Sequence, residues 1–331
     1  MLKTDKLKSE KLHLTIIEFS FKLQKKIMNK IITPFFLFLT LFSFVSTTRA
    51  IPSEVKKAVA FIYTFEEKKK LTKGATGFFI GEKISAENEQ FFVSLVTAKH
   101  VIQTDDLKSY LPDISIRLNT LDGNSDTMKI PLKMSGTEQN VFLHEDPTVD
   151  LAVITILPDK TKYDFSFLEA ELLTTKADFE KLDISEGADI FYTSLFIPYM
   201  GENRIYPIVR FGKVALIPDE RVLVNGEKKE VYLVEAGAYG GSSGAPSFVN
   251  TETTLPDTPR KIIGVISNHF IDKLPVRPTQ PSQSAAIANL GIAIIEPAFK
   301  LQEILSGDDI QNSKLLAKNI LRVEWNTTRL L

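Results

Sequence analysis

Three short segments carry residue types that can do acid–base and nucleophilic chemistry. The first is Tyr239-Gly240-Gly241-Ser242-Ser243-Gly244-Ala245-Pro246. A nucleophilic serine needs its hydroxyl exposed on a tight turn, and glycines on both sides reach the backbone angles that such a turn demands. The N–H groups of Gly241 and Ser243 would then converge as an oxyanion hole. A Gly/Ser-rich surface turn accounts for the same residues equally well when they are taken alone. The second segment is an apolar run from Phe91 to Ala98 that delivers Lys99 and then His100. An imidazole at a strand end can take a hydroxyl proton and return it to a leaving group, although most such histidines are structural. The third is Asp150 at the head of Leu151-Ala152-Val153-Ile154. A carboxylate entering an apolar strand is set to be buried and requires a partner; capping of the preceding loop is the alternative.

Taken together, the three are more informative than any one of them. They occur in the order His, Asp, Ser, with 50 residues from His100 to Asp150 and 93 from Asp150 to Ser243. Other triad folds run Ser–acid–His or Asp–His–Ser, so the order itself discriminates. The elements that must hold these residues read as short strands rich in Val, Ile, Phe and Thr. In the first half they are 58–64, 76–80, 90–97, 114–118, 128–132 and 151–157; in the second, 189–194, 206–217, 221–224, 230–235, 261–267 and 290–295. Between the two sets, 165–182 spaces Leu, Phe and Ala three and four apart, which predicts a linker with some helix. Val224-Asn225-Gly226-Glu227 predicts a tight hairpin. A helix is expected over 297–305, stopped by Gly307. The expected fold class is therefore all-β, with two antiparallel six-stranded barrels and a C-terminal helix. The expected boundaries are a leader at 1–50, barrels at 51–160 and 188–306 joined by a linker at 161–187, and a tail at 307–331. Residues 250–260 and 274–283 read as surface insertions.

Over roughly residues 55–305 this pattern resembles the trypsin-like serine peptidases, particularly their cysteine-free bacterial branch. Thr97-Ala98-Lys99-His100 is similar to the family's histidine segment, Asp150-Leu151-Ala152-Val153 to its aspartate strand, and Gly241-Ser242-Ser243-Gly244-Ala245-Pro246 to its serine loop. Gly74–Phe79, Ile263–Ser267 and Asn289–Ile294 support the match. The resemblance implies peptide-bond hydrolysis by Ser243, His100 and Asp150 through an acyl-enzyme, without metal or other cofactor. It implies a protein or peptide substrate lying along Ser267, Asn268 and His269, and a specificity pocket based near Gly237. Two departures matter. Digestive members carry an aspartate where Ser242 stands, so Ile51 is not read as a zymogen-type N-terminus. Neither Gly237 nor Ala236 is charged, so a preference for Lys or Arg is not supported, with Glu235 close enough for a shift of register to matter. The rival reading is a catalytically silent barrel pair acting in binding or sensing.

Composition sets the remaining bounds. The 331 residues carry 40 basic and 41 acidic side chains, so nothing in the charge favours a nucleic-acid partner. The chain has no cysteine, which excludes disulfides and thiolate chemistry. His144-Glu145-Asp146 lacks a matching ligand cluster elsewhere and reads as a solvated loop rather than a metal site. Segment 31–46 is uncharged and apolar, follows Lys25, Lys26 and Lys30, and ends before small residues, the pattern of a secretory signal peptide beginning at Met28. Extracytoplasmic location, periplasmic or secreted and bacterial, is the expectation, with membrane attachment only if 31–46 is retained. N-terminal sequencing of the exported protein should find Ile51 as the first residue; recovery of residues 1–27 would overturn the Met28 start.

Overall fold

The computed structural model describes residues 50–66, 71–84, 90–224, 226–250, 260–274, 286–316 and 322–324, and five leader residues (Glu18, Ser20, Lys22, Leu23 and Lys25) as helix. Two compact units emerge, Met1–Ala50 and Ile51–Leu331. Segment 31–46 and Met28 lie outside the described residues, as do most of the expected insertions. Among the described residues no helix is long and apolar enough to cross a membrane.

The second unit opens with α1 (Ser53–Lys57) and a sheet built from β1 (Val59–Glu66), β2 (Leu71–Lys83), β3 (Gln90–Thr97), β4 (Asp113–Asn119), β5 (Ser125–Pro131), β6 (Val141–Leu143), β7 (Ala152–Thr155) and the short β8 (Leu168–Glu169). Their order is β5-β4-β1-β2-β3-β7-β6, with β8 parallel to β2. The period-2 pattern is plain in β4, where Ile114, Ile116 and Leu118 are buried and their neighbours are only half-buried. In β3 every residue after Gln90 is buried, so the strand reads as a continuous apolar run. After α2 (Lys176–Lys181) come β9 (Asp189–Ser194), β10 (Ile208–Leu216), β11 (Val222–Val224), β12 (Glu227–Lys229), β13 (Tyr232–Glu235), β14 (Pro246–Val249), β15 (Lys261–Leu274) and β16 (Ala286–Pro297). Six of these close a barrel in the order β10-β13-β16-β15-β14-β9. The remaining pair, β11 and β12, forms the expected hairpin, with Val224 opposite Glu227 and Gly226 at φ +87°.

The fold is thus the expected trypsin-like pairing of two antiparallel β units. The first unit is a nine-stranded sheet, in which β17 (Arg322–Glu324) adds to β3, rather than a six-stranded barrel. The C-terminal helix is α3 (Ala298–Ser306), with Pro297 and Gly307 at its caps, and a second helix, α4 (Asp308–Leu316), follows. Lys314 of α4 donates to Glu82 at 2.8 Å and to the Leu305 carbonyl at 3.0 Å. So the region expected as a tail begins with a docked helix.

Each β unit has its own apolar centre, and a third cluster joins them. Phe78, Val96 and Val153 of the first sheet pack there with Phe191, Phe248 and Leu301 of the second half. The Phe191 and Phe248 rings stack at 4.8 Å. Four-residue β14 was not anticipated, because its proline start continues the serine loop. It pairs with β9 on one side and β15 on the other. Replacing Phe248 with Ala should therefore cost about 3–5 kcal/mol, the range for truncating a buried aromatic, measured as a shift in urea unfolding.

Candidate active site

His100 stands on a 3₁₀ turn, Lys99–Ile102, directly after β3. The turn is held against the loop before β7: Lys99 N–H donates to the Asp150 carbonyl at 3.2 Å, and His100 N–H donates to Asp150 Oδ1 at 2.9 Å. The other carboxylate oxygen, Oδ2, lies 2.7 Å from imidazole Nδ1. Asp150 thereby engages both the main chain and the ring of His100, which fixes ring orientation and places the Nδ1 proton on the carboxylate side. Burial lowers the imidazole pKa, but the Asp150 charge and hydrogen bond outweigh it, and the net shift is upward.

Ser243 is half-buried on the loop from Tyr239 to Ala245. Two glycines with positive φ flank it, Gly241 at +96° and Gly244 at +88°. Ser242 N–H donates to the Tyr239 carbonyl at 3.0 Å and Ala245 N–H to the Ser242 carbonyl, also at 3.0 Å. The Gly241 carbonyl is taken by the Thr76 hydroxyl at 2.6 Å. Among the described residues, no hydrogen bond is made by the N–H of Gly241 or of Ser243. The Ser243 hydroxyl donates to the Ser267 carbonyl at 3.2 Å, not to His100. The acid–imidazole contact is therefore formed, whereas the serine–imidazole hydrogen bond requires the hydroxyl to turn.

Ser267, Asn268 and His269 continue β15. On one side they face β16, where Asn268 pairs with Ile294 and His269 with Ala293. On the other side β14 ends its pairing at Val265, and the last bonds are Ile266 N–H to Ala245 and Gly244 N–H to Ile266. Beyond Ile266 that edge carries no strand among the described residues. Asn268 Oδ1 accepts from His269 N–H at 2.8 Å, and burial lowers the His269 pKa.

Gly237 is also half-buried, and its carbonyl accepts from the Tyr192 phenol at 2.7 Å. The Arg210 guanidinium lies beside it, 3.7 Å from where a Gly237 Cβ would stand, and over the Tyr239 and Phe196 rings at 4.8 and 5.6 Å. Glu235 is exposed and lies opposite Lys213 in the ladder, which removes it from the pocket base. Where digestive enzymes have aspartate, Ser242 is buried and its hydroxyl accepts from the Tyr239 N–H at 3.5 Å, while burial pushes the pKa of the Tyr192 phenol up to about 12. Asn289 ties the adjoining wall by donating to the Ala238 carbonyl.

Several contributors were not singled out from the sequence. Thr76 sits within the noted Gly74–Phe79 match but shows its role only through contacts with the serine loop. Tyr192 and Arg210 look like ordinary strand residues. In contrast, His144 uses both ring nitrogens, Nε2 at 2.5 Å from Glu303 and Nδ1 accepting from Asp146 N–H at 2.9 Å. Among the described residues no three His, Asp or Glu side chains converge as a metal site.

No family model and no curated protein matches the chain. Among solved structures it is similar to the MamO protease domain from Magnetospirillum magneticum, at 15% identity and TM-score 0.44, covering 77% of this chain and 98% of that one. It is also similar to the active form of the Rv3671c protease from M. tuberculosis, at 13% identity and TM-score 0.42, covering 77% and 82%.

The serine loop yields a direct test. A Cβ on Gly244 would lie 2.0 Å from the Thr76 carbonyl oxygen at a backbone angle that L side chains avoid. Gly244→Ala should destabilise the protein by at least about 1–3 kcal/mol, the cost of a non-glycine residue held in that region, read from thermal unfolding.

Proposed function

We propose that this chain is an exported serine endopeptidase of the cysteine-free bacterial kind, acting on protein or peptide substrates. The observation that carries the reading is the two-point grip of Asp150 on His100, at 2.9 and 2.7 Å, beside a serine on a turn with positive-φ glycines. In this reading His100 Nε2 takes the Ser243 proton as Oγ attacks the substrate carbonyl, then returns it to the leaving amine. Asp150 stabilises the imidazolium, and water later hydrolyses the acyl-enzyme by the same route. The free N–H groups of Gly241 and Ser243 would stabilise the oxyanion, each worth about 3–4 kcal/mol in comparable sites.

The open edge of β15 after Ile266 is suited to an extended substrate, which would add as a strand along Ser267–His269. The Ser243 hydroxyl would leave the Ser267 carbonyl as substrate arrives. Arg210 beside Gly237 places positive charge near the pocket base, so Lys and Arg side chains before the scissile bond would meet a like charge.

A second reading, a silent module that binds without cleaving, is favoured by one observation: the Ser243 hydroxyl is turned to Ser267. Labelling with a fluorophosphonate probe separates the two. Wild type should label and Ser243→Ala should not; absence of labelling in folded wild type would favour the silent module. The labelling rate should rise with pH through a midpoint above 6.5, because the raised His100 pKa keeps the ring protonated and unable to act as base until higher pH. Asp150→Asn should lower that midpoint and slow the reaction by roughly 10⁴-fold, as in other triads.

A further inference from the structure

Strand β10 sets Arg210 directly opposite Tyr192 of β9, and residues so paired share a face of the sheet. Both side chains reach Gly237. The Tyr192 phenol donates to its carbonyl at 2.7 Å, and Arg210 Nη1 stands 3.7 Å from where a Gly237 Cβ would be. The guanidinium lies over the Tyr239 ring at 4.8 Å and the Phe196 ring at 5.6 Å. Ring faces attract the cation but leave its in-plane N–H groups without an acceptor. Among the described residues no hydrogen bond or ion pair takes them up, and Nε is buried without a partner. A permanently charged group so enclosed is costly until an anion meets it.

The nearby titratable side chains do not supply that anion. Glu235, two residues before Gly237, is exposed and stands opposite Lys213. Asp189, at the start of β9, pairs with Lys213 at 2.8 Å. The Tyr192 phenol, its pKa pushed up to about 12, stays neutral. His269 of β15 has its pKa lowered by burial and adds no charge at neutral pH.

Arg210 also stands at the head of the serine loop. That loop turns back on itself, Ser242 N–H donating to the Tyr239 carbonyl at 3.0 Å, which keeps its two ends from spreading apart. One end is tied to β16 by Asn289, which donates to the Ala238 carbonyl. The other is tied to β15 by the Ser243 hydroxyl, which donates to the Ser267 carbonyl at 3.2 Å. Asn289 and Ile271 face each other in the ladder that joins those strands. A residue whose carbonyl sits at Ser243 therefore has the loop along its flank and Arg210 at the loop's beginning.

We propose that Arg210 determines specificity by receiving, as a bidentate fork, the side-chain carboxylate of a Glu or Asp immediately before the scissile bond. The inference rests on the peptidase reading of the cleft. The guanidinium fork matches both oxygens of a carboxylate, and Gly237 carries no side chain that would cover it. A glutamine of the same shape offers one oxygen and turns a donor toward the other N–H group, so it is held less well. A lysine meets a like charge.

The test compares kcat/KM for peptides that differ only in Glu, Asp, Gln or Lys before the bond. Wild type should cleave the better acidic peptide about ten- to a hundredfold faster than the Gln peptide, the range for a hydrogen bond to a charged group. Equal rates for Glu, Asp and Gln would overturn the proposal. In Arg210→Met, which keeps an apolar stem, the acid-to-Gln ratio should fall to near one. A merely structural arginine would lower all peptides together and preserve the ratio, which would also overturn it. Arg210→Lys keeps the charge but not the fork and should leave an intermediate ratio. If Arg210→Met does not fold, an unchanged ratio in Arg210→Lys overturns the proposal. If wild type neither labels with the fluorophosphonate nor cleaves any peptide, the peptidase reading fails. Binding then decides the role of Arg210, with Ser243→Ala and fluorescent peptides ending in Glu or Gln followed by anisotropy. The Glu peptide should bind about ten- to a hundredfold tighter, and adding Arg210→Met should abolish the difference. Equal binding, or none, would count against the carboxylate site.

Discussion

Thr76 is fully buried in β2, and every polar group it owns crosses to another part of the site. Its N–H donates to the Ser243 carbonyl at 2.9 Å, and its hydroxyl donates to the Gly241 carbonyl at 2.6 Å. The same hydroxyl accepts Leu195 N–H at 2.9 Å, and the Thr76 carbonyl accepts the Thr97 hydroxyl at 2.8 Å. One residue of the first sheet thus anchors the serine loop, the end of β9 and the strand that delivers His100. Each bond satisfies a group that burial would otherwise leave unpaired, at a cost of about 1–3 kcal/mol apiece. The loop leans on this: the engaged Gly241 carbonyl and the bonded Ser242 N–H fix the peptide that lies between the two carrying the free N–H groups.

Packing makes that bridge possible. The shared apolar cluster of Phe78, Val96, Phe191 and Phe248 holds the two β units face to face, so hydrogen bonds across the seam form in a water-poor setting. Neither half could supply the site alone. The first contributes the acid and the imidazole, and the second contributes the serine and the open β15 edge.

Charge within this seam is graded. Asp150 engages the His100 N–H and imidazole, whereas Glu296, at the end of β16, is enclosed, and burial first pushes its pKa up to about 8. Near the serine loop the Tyr192 phenol, its pKa pushed up by burial, donates to the Gly237 carbonyl.

Much of this was legible along the chain, because β periodicity, glycine placement and the helix stop at Gly307 are local properties. Strands such as Gln90–Thr97 and Asp189–Ser194 fall where their residues indicated. The His, Asp and Ser segments could be recognised because each combines a reactive side chain with the element that must carry it. Short β6 and β14 escaped notice, since three or four residues carry too little pattern and their pairing partners supply the order. The sequence by itself determined the all-β class, the three candidate residues and the absence of thiol chemistry. Only the tertiary structure decided that Thr76 bridges the halves and that Glu235 faces solvent while Arg210 lies at Gly237. Those facts depend on contacts between residues distant in the chain, and burial, hydrogen bonding and charge act through space rather than along it.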